Sequence, residues 1–197
     1  DVLVAVNGRD RRFGVDSIGT EPAVLNTWLV IDRFHPDLVI SAGTAGGWQR
    51  AGAEIGDVYV SDGCTVRHDR RIALDGFREY GIGAYPVLPT RDMAAALGLK
   101  SGIVTTGNSL DETEDDRRMI EASGAVVKDM EAAAVAYVCE QSSVPFMALK
   151  AITDFVDHHV STPEQFNANL SMASKRLSEM LLKVLDWVIP RDVGEMI

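Results

Sequence analysis

The chain has 197 residues, a length that suits one domain with a sizeable core. Hydrophobic residues make up 46% and charged residues 24%, which excludes a disordered chain, and no apolar run approaches the roughly 20 residues of a membrane span. The net charge of −10 excludes the basic face needed by a sequence-independent nucleic-acid binder or an anionic-membrane binder.

The first apolar run, Val2–Val6, reads as a strand that opens the chain directly. In DVLVAVNGRDRR the charge follows the apolar run, the reverse of a secretory leader, so no leader is expected. Gly19-Thr20-Glu21-Pro22 is a helix start with proline in the first turn, and a helix follows over Ala23–Phe34. Leu38–Ala42 and Val58–Val60 read as strands. The stretch Trp48–Pro89 is punctuated by glycines into short elements and loops.

Ile103–Thr106 reads as a strand, Glu112–Ser123 as a charged amphipathic helix, and Ala125–Val127 as a strand. Glu131–Gln141 is alanine-rich and predicts a buried helix. Phe146–Ile152 is an apolar strand. In Pro163–Ile189, Phe166, Leu170, Ala173, Leu177, Leu181, Val184 and Val188 recur at steps of three or four. That is a packing helix, and packing explains it fully.

Strands separated by helices predict an α/β fold. The expectation is a single domain over 1–197, with a twisted, largely parallel central sheet flanked by helices. Cys64 and Cys139 are far apart and lack CxxC spacing. A disulfide framework or a zinc site is therefore not expected, and a reducing cytoplasm is.

Open α/β sheets bind ligands beyond the carboxyl ends of their strands. Four motifs fall at such ends. Ser41–Gly47 is glycine-rich; it suits close backbone approach to a ligand and equally suits a tight turn. Lys128-Asp129-Met130-Glu131 opens a helix. There Glu131 either complements the helix dipole or accepts the paired hydroxyls of a ribose. Phe146–Asp154 ends in Thr153 and a carboxylate, which either caps a turn or serves as a partly buried general acid. Thr105–Asp111 either lines a pocket or turns the chain. His68-Asp69, among Arg67, Arg70 and Arg71, reads first as a solvated loop and second as a pair that orients a catalytic group or binds an anion. His158-His159 lacks an acidic or cysteine partner at metal-ligand spacing, so no metal is proposed.

Together, GTAGG, HDRRI, TGNSLD, KDMEAAAVAYV and LKAITDFVD, in that order, resemble the nucleoside phosphorylase and nucleosidase superfamily. Within it they are similar to 5′-methylthioadenosine nucleosidases of the plant type, as are Gly8-Arg9-Asp10, the stretch Gly14–Thr20, and Lys150. The resemblance runs from about Val2 to Val188. It implies a homodimer that hydrolyses the N-glycosidic bond of methylthioadenosine, and in some members of S-adenosylhomocysteine, without cofactor or metal. Asp154 matches the family's acid that protonates the purine. Met130 and Glu131 match the ribose-holding residues, Thr44, Ala45 and Gly46 the loop beside sugar and base, and Leu110 and Asp111 the segment flanking adenine. Glu79–Pro89, with Tyr80, Tyr85 and Pro86, is the segment expected to reach a neighbouring subunit.

The family has a further strand, followed by a water-activating glutamate, ahead of the position where this sequence starts. Neither has a counterpart here, and missing sequence is the favoured expectation over a short homologue that only binds nucleoside. A phosphate-dependent nucleoside phosphorylase is the other enzyme reading.

Overall fold

The computed structural model describes residues 1–159 and 161–195. Its six strands are β1 (Val39–Gly47), β2 (Val58–Arg67), β3 (Tyr85–Pro86), β4 (Lys100–Thr106), β5 (Val127–Asp129) and β6 (Phe146–Phe155). They form one sheet in the order β3-β2-β4-β5-β1-β6, and an extra β2–β6 pairing curls it partly into a barrel.

This corrects the expected largely parallel sheet. The pairs β1–β6, β2–β4 and β4–β5 are parallel, but β1–β5, β2–β6 and β2–β3 are antiparallel. The cause is a short connection. A parallel return needs a crossover of about a dozen or more residues, usually helical. Residues 48–57 hold only the 3-10 turn Gln49–Ala51, so β2 reverses and lies along the far flank of β6.

The run Val2–Val6 is not a strand. Residues 1–8 have no regular structure, and Val4 and Val6 are 80% and 77% exposed. An apolar run becomes a strand only where a neighbour takes its backbone hydrogen bonds. Among the described residues, the sole strand-type pairing near this segment is an isolated bridge between Arg9 and Asp16.

Among the described residues, six α-helices accompany the sheet: α1 (Thr20–Phe34), α2 (Phe77–Ile82), α3 (Arg91–Leu97), α4 (Glu114–Ser123), α5 (Ala132–Gln141) and α6 (Thr162–Val188). The core follows from β6, where side chains alternate between faces. Phe146, Ala148 and Ile152 pack with Ala133, Ala136 and Val138 of α5 and with Ala23 and Ile31 of α1. Met147, Leu149 and Ala151 pack with Met93 of α3 and with Ala173, Val184 and Val188 of α6. Both faces are covered, so the strand is apolar apart from the buried Lys150 until it reaches Thr153 and Asp154, which are buried as well.

Two boundaries bear on function. β2 is far longer than the expected Val58–Val60, and Gly43–Gly47 continues β1 instead of forming a loop. Glycine permits that continuation because β1 passes close to its neighbours. A Cβ on Gly47 would lie 2.8 Å from Ala53 Cβ.

Candidate active site

Asp154 lies near the end of β6 and is 4% exposed. The β1–β6 register breaks there: Ala45 faces Ile152 and Gly46 faces Asp154, leaving Thr153 as a bulge. The bulged Thr153 puts its hydroxyl 2.7 Å from Asp154 Oδ1 and 3.2 Å from Ala45 O. Its one proton can serve only one acceptor at a time, and the shorter contact is to the carboxylate. Burial pushes the Asp154 carboxyl above the ordinary carboxylate range. The Thr153 hydrogen bond and the Lys128 charge oppose that push without cancelling it.

Glu131 immediately precedes α5 as its N-cap. Its Oε1 accepts from Gly19 N at 2.8 Å, so the carboxylate joins the start of α1 to the start of α5. Gly19 has φ +96°, a conformation that favours glycine, and it presents that N–H as the N-cap of α1. A carboxylate carries about four acceptor positions, so Glu131 retains capacity for a diol.

Beneath Glu131 lies a buried knot. Lys150, 2% exposed, meets Asp129 Oδ2 at 2.8 Å and Ser41 Oγ at 3.2 Å. Asp129 Oδ1 accepts from Thr106 Oγ1 at 2.6 Å. The two first amides of α5 are taken by the same group: Ala132 N donates to Asp129 Oδ2 and Ala133 N to Thr106 Oγ1, each at 2.9 Å. One cluster thus ties β1, β4, β5 and β6 to the start of the helix that carries Glu131.

Lys128 is the residue that sequence reasoning left without a role. It is buried, and its Nζ donates to the carbonyls of Leu110 and Asp111, both at 2.9 Å. Burial lowers its pKa, while Glu112, Asp111, Asp116 and Asp154 raise it in part. The signal was present as a lysine placed directly after the apolar pair Val126-Val127 and before an aspartate. A second relay holds the neighbouring loop: Asp69 Oδ2 accepts from Asn108 N at 2.8 Å, and Asn108 Oδ1 accepts from Thr20 N at 2.9 Å.

A cleft of ≈ 2130 Å³ unites these groups. Thr44, Ala45, Gly46, Leu110, Met130, Glu131 and Asp154 all line it, as do Lys128 and Lys150. Asp111 does not line it and enters the site only through its backbone carbonyl. Nucleoside-sized ligands need roughly 300–1,000 Å³, so the site proper occupies only part of this cleft. His68 corrects the solvated-loop expectation: it is buried, with Nδ1 3.0 Å from Thr105 Oγ1, and burial and Lys128 lower its pKa. Tyr85 is likewise a core residue, its ring 5.8 Å from that of Tyr137, whereas Tyr80 is exposed.

A family model, the phosphorylase superfamily, matches residues 1–186. The chain belongs to that superfamily. Among its relatives, a 5′-methylthioadenosine nucleosidase of Arabidopsis thaliana is 42% identical over 196 residues, 99% of this chain and 73% of the relative. A 5′-methylthioadenosine/S-adenosylhomocysteine nucleosidase of the same organism is 43% identical over 95% of this chain and 74% of its own length. The solved apo structure of the Arabidopsis thaliana 5′-methylthioadenosine nucleosidase superposes with a TM-score of 0.92, at 42% identity, covering 95% of this chain and 76% of that one. Within the superfamily, this chain therefore groups with the methylthioadenosine nucleosidases.

Proposed function

We propose that this single-domain phosphorylase-superfamily member hydrolyses the N-glycosidic bond of 5′-methylthioadenosine, giving adenine and 5-methylthioribose. S-Adenosylhomocysteine is the second substrate, and the cleft has volume to spare for its longer thioether. The observation that carries this reading is a buried carboxyl, Asp154, with a raised pKa, in the wall of a cleft that Glu131 also lines.

Adenine is a poor leaving group as an anion. As the bond between sugar and base breaks, its electron pair goes to the purine. Asp154 donates a proton to the imidazole nitrogen of the base and offsets that charge. Positioned acids of this kind contribute about 10²–10⁴ in rate. The sugar becomes oxocarbenium-like, and the Glu131 carboxylate, on the ribose hydroxyls, stabilises the developing positive charge. Water attacks the sugar carbon and its oxygen completes the sugar product, while the proton it releases returns through solvent to the Asp154 carboxylate. Leu110, held through its carbonyl by Lys128, borders the base, and Thr44, Ala45 and Gly46 border sugar and base.

The expected assembly is a homodimer. It is supported by the outer face of α1, where Leu25, Trp28 and Leu29 are exposed at helical spacing. Light scattering on the eluted protein measures this directly.

The decisive experiment follows adenine release from methylthioadenosine with and without inorganic phosphate. Release at equal rates, with free methylthioribose as the sugar product, is expected. Strict dependence on phosphate overturns the hydrolytic reading.

A further inference from the structure

Four buried side-chain polar atoms lack a hydrogen-bond partner among the described residues, and three belong to one short segment: Thr65 Oγ1, Arg67 Nε and Arg70 Nε. The fourth, Glu112 Oε2, faces Lys128 Nζ at 4.0 Å. Buried polar groups are nearly always satisfied, so three orphans in one place call for a ligand.

The strand brings them together. Thr65 and Arg67 are two residues apart on β2 and project from the same face. Thr65 pairs across to Tyr85 of β3. Arg70 returns to the same tyrosine, with Nη2 3.4 Å from the Tyr85 hydroxyl and its guanidinium 4.6 Å from the centre of the Tyr80 ring.

The local charge is unbalanced. Arg67 is 8% exposed, and neither Arg67 nor Arg70 forms an ion pair among the described residues. The adjacent acids are already engaged. Asp116 accepts from Arg71, and Asp69 accepts from Asn108. A buried guanidinium without a counter-charge is strongly disfavoured.

We propose that Arg67, Arg70, Thr65 and the Tyr85 hydroxyl form a binding site for a small tetrahedral oxyanion of the phosphate class. Arg67 offers a planar N–H fork to paired oxygens; Arg70, whose Nη2 already donates to the Tyr80 carbonyl, offers its unpartnered Nε–H, and two hydroxyls supply further donors. None of the four residues lines the nucleoside cleft, so the anion is not a reactant in glycosidic cleavage. The inference therefore stands apart from the hydrolytic reading.

The test is calorimetric titration of the whole protein with inorganic phosphate. Saturable heat is expected in the wild type, with affinity at least about ten-fold weaker in both Arg67→Met and Arg70→Met. Sulfate is expected to compete and acetate to fail. Absence of saturable heat in the wild type overturns the proposal without reliance on any variant. So does unchanged affinity in both folded variants, or equal competition by acetate. Adenine release by the same samples reports separately on hydrolysis, and the Arg67→Met rate is expected to match the wild type.

Discussion

Gly46 stands opposite Asp154 across the β1–β6 ladder with no room between them for a methyl group. A Cβ on Gly46 would lie 2.8 Å from Asp154 Oδ2 and 2.9 Å from Val156 Cγ2. Gly46→Ala must therefore push the acid or distort the bulge. Displacement of a catalytic group by about 1 Å can cost ~10²-fold in rate, and overpacking costs about 1–3 kcal/mol. Steady-state adenine release and urea unfolding measure the two effects. Retention of the wild-type rate would show that Oδ2 is not the working oxygen.

Asp154→Asn is expected to lower kcat by about 10²–10⁴ while raising stability at neutral pH. The sign follows from the raised pKa. An acid whose folded pKa exceeds its unfolded value makes the folded state costlier once ionised. Asparagine removes that cost and can still accept from Thr153. The stability gain should be absent below the unfolded value near pH 3.8, grow as pH rises toward the folded pKa, and then level off. Melting temperatures across that range check it; a gain that shrinks as pH rises contradicts the burial account.

Thr153→Val removes the hydrogen bond that holds the Asp154 pKa down. The carboxyl should then titrate higher still. A general acid works only while protonated, so the alkaline limb of kcat/KM should move to higher pH. Should the rate fall equally at every pH with the limb unmoved, the hydroxyl merely holds the bulge.

Lys150→Met leaves Asp129 buried without its counter-charge. Breaking a buried pair from one side costs about 3–5 kcal/mol, whereas replacing both partners costs much less. The double variant Lys150→Met with Asp129→Asn should recover a large part of the stability lost by the single change. Urea midpoints provide the comparison, and additive losses would mean the two groups do not act as a pair.

Periodicity was legible where it reports burial. The α6 stripe from Phe166 to Val188 and the apolar run of β6 both appear in the fold close to their expected bounds. Val2–Val6 was not legible, because the same apolar run is a strand or an irregular segment depending on a neighbour the pattern does not name. Sheet direction escaped for a similar reason: it was decided by the short 48–57 connection, not by any strand. The carboxylates of the site came from motifs, which mark residue type and order. Thr153 and Lys128 act through register and through which face a side chain takes, and both are tertiary properties. Arg67 looked like one basic residue among several until β2 extended far enough to bury it.

The β6 strand has a last consequence. It pairs with β1 on one flank and β2 on the other, and through Lys150 it is tied to the beginning of α5. Asp154 and Glu131 therefore hang on one cooperative unit. Small local openings cannot part them, so the amides of Ile152 and Ala132 should exchange with solvent deuterium only when the whole molecule opens.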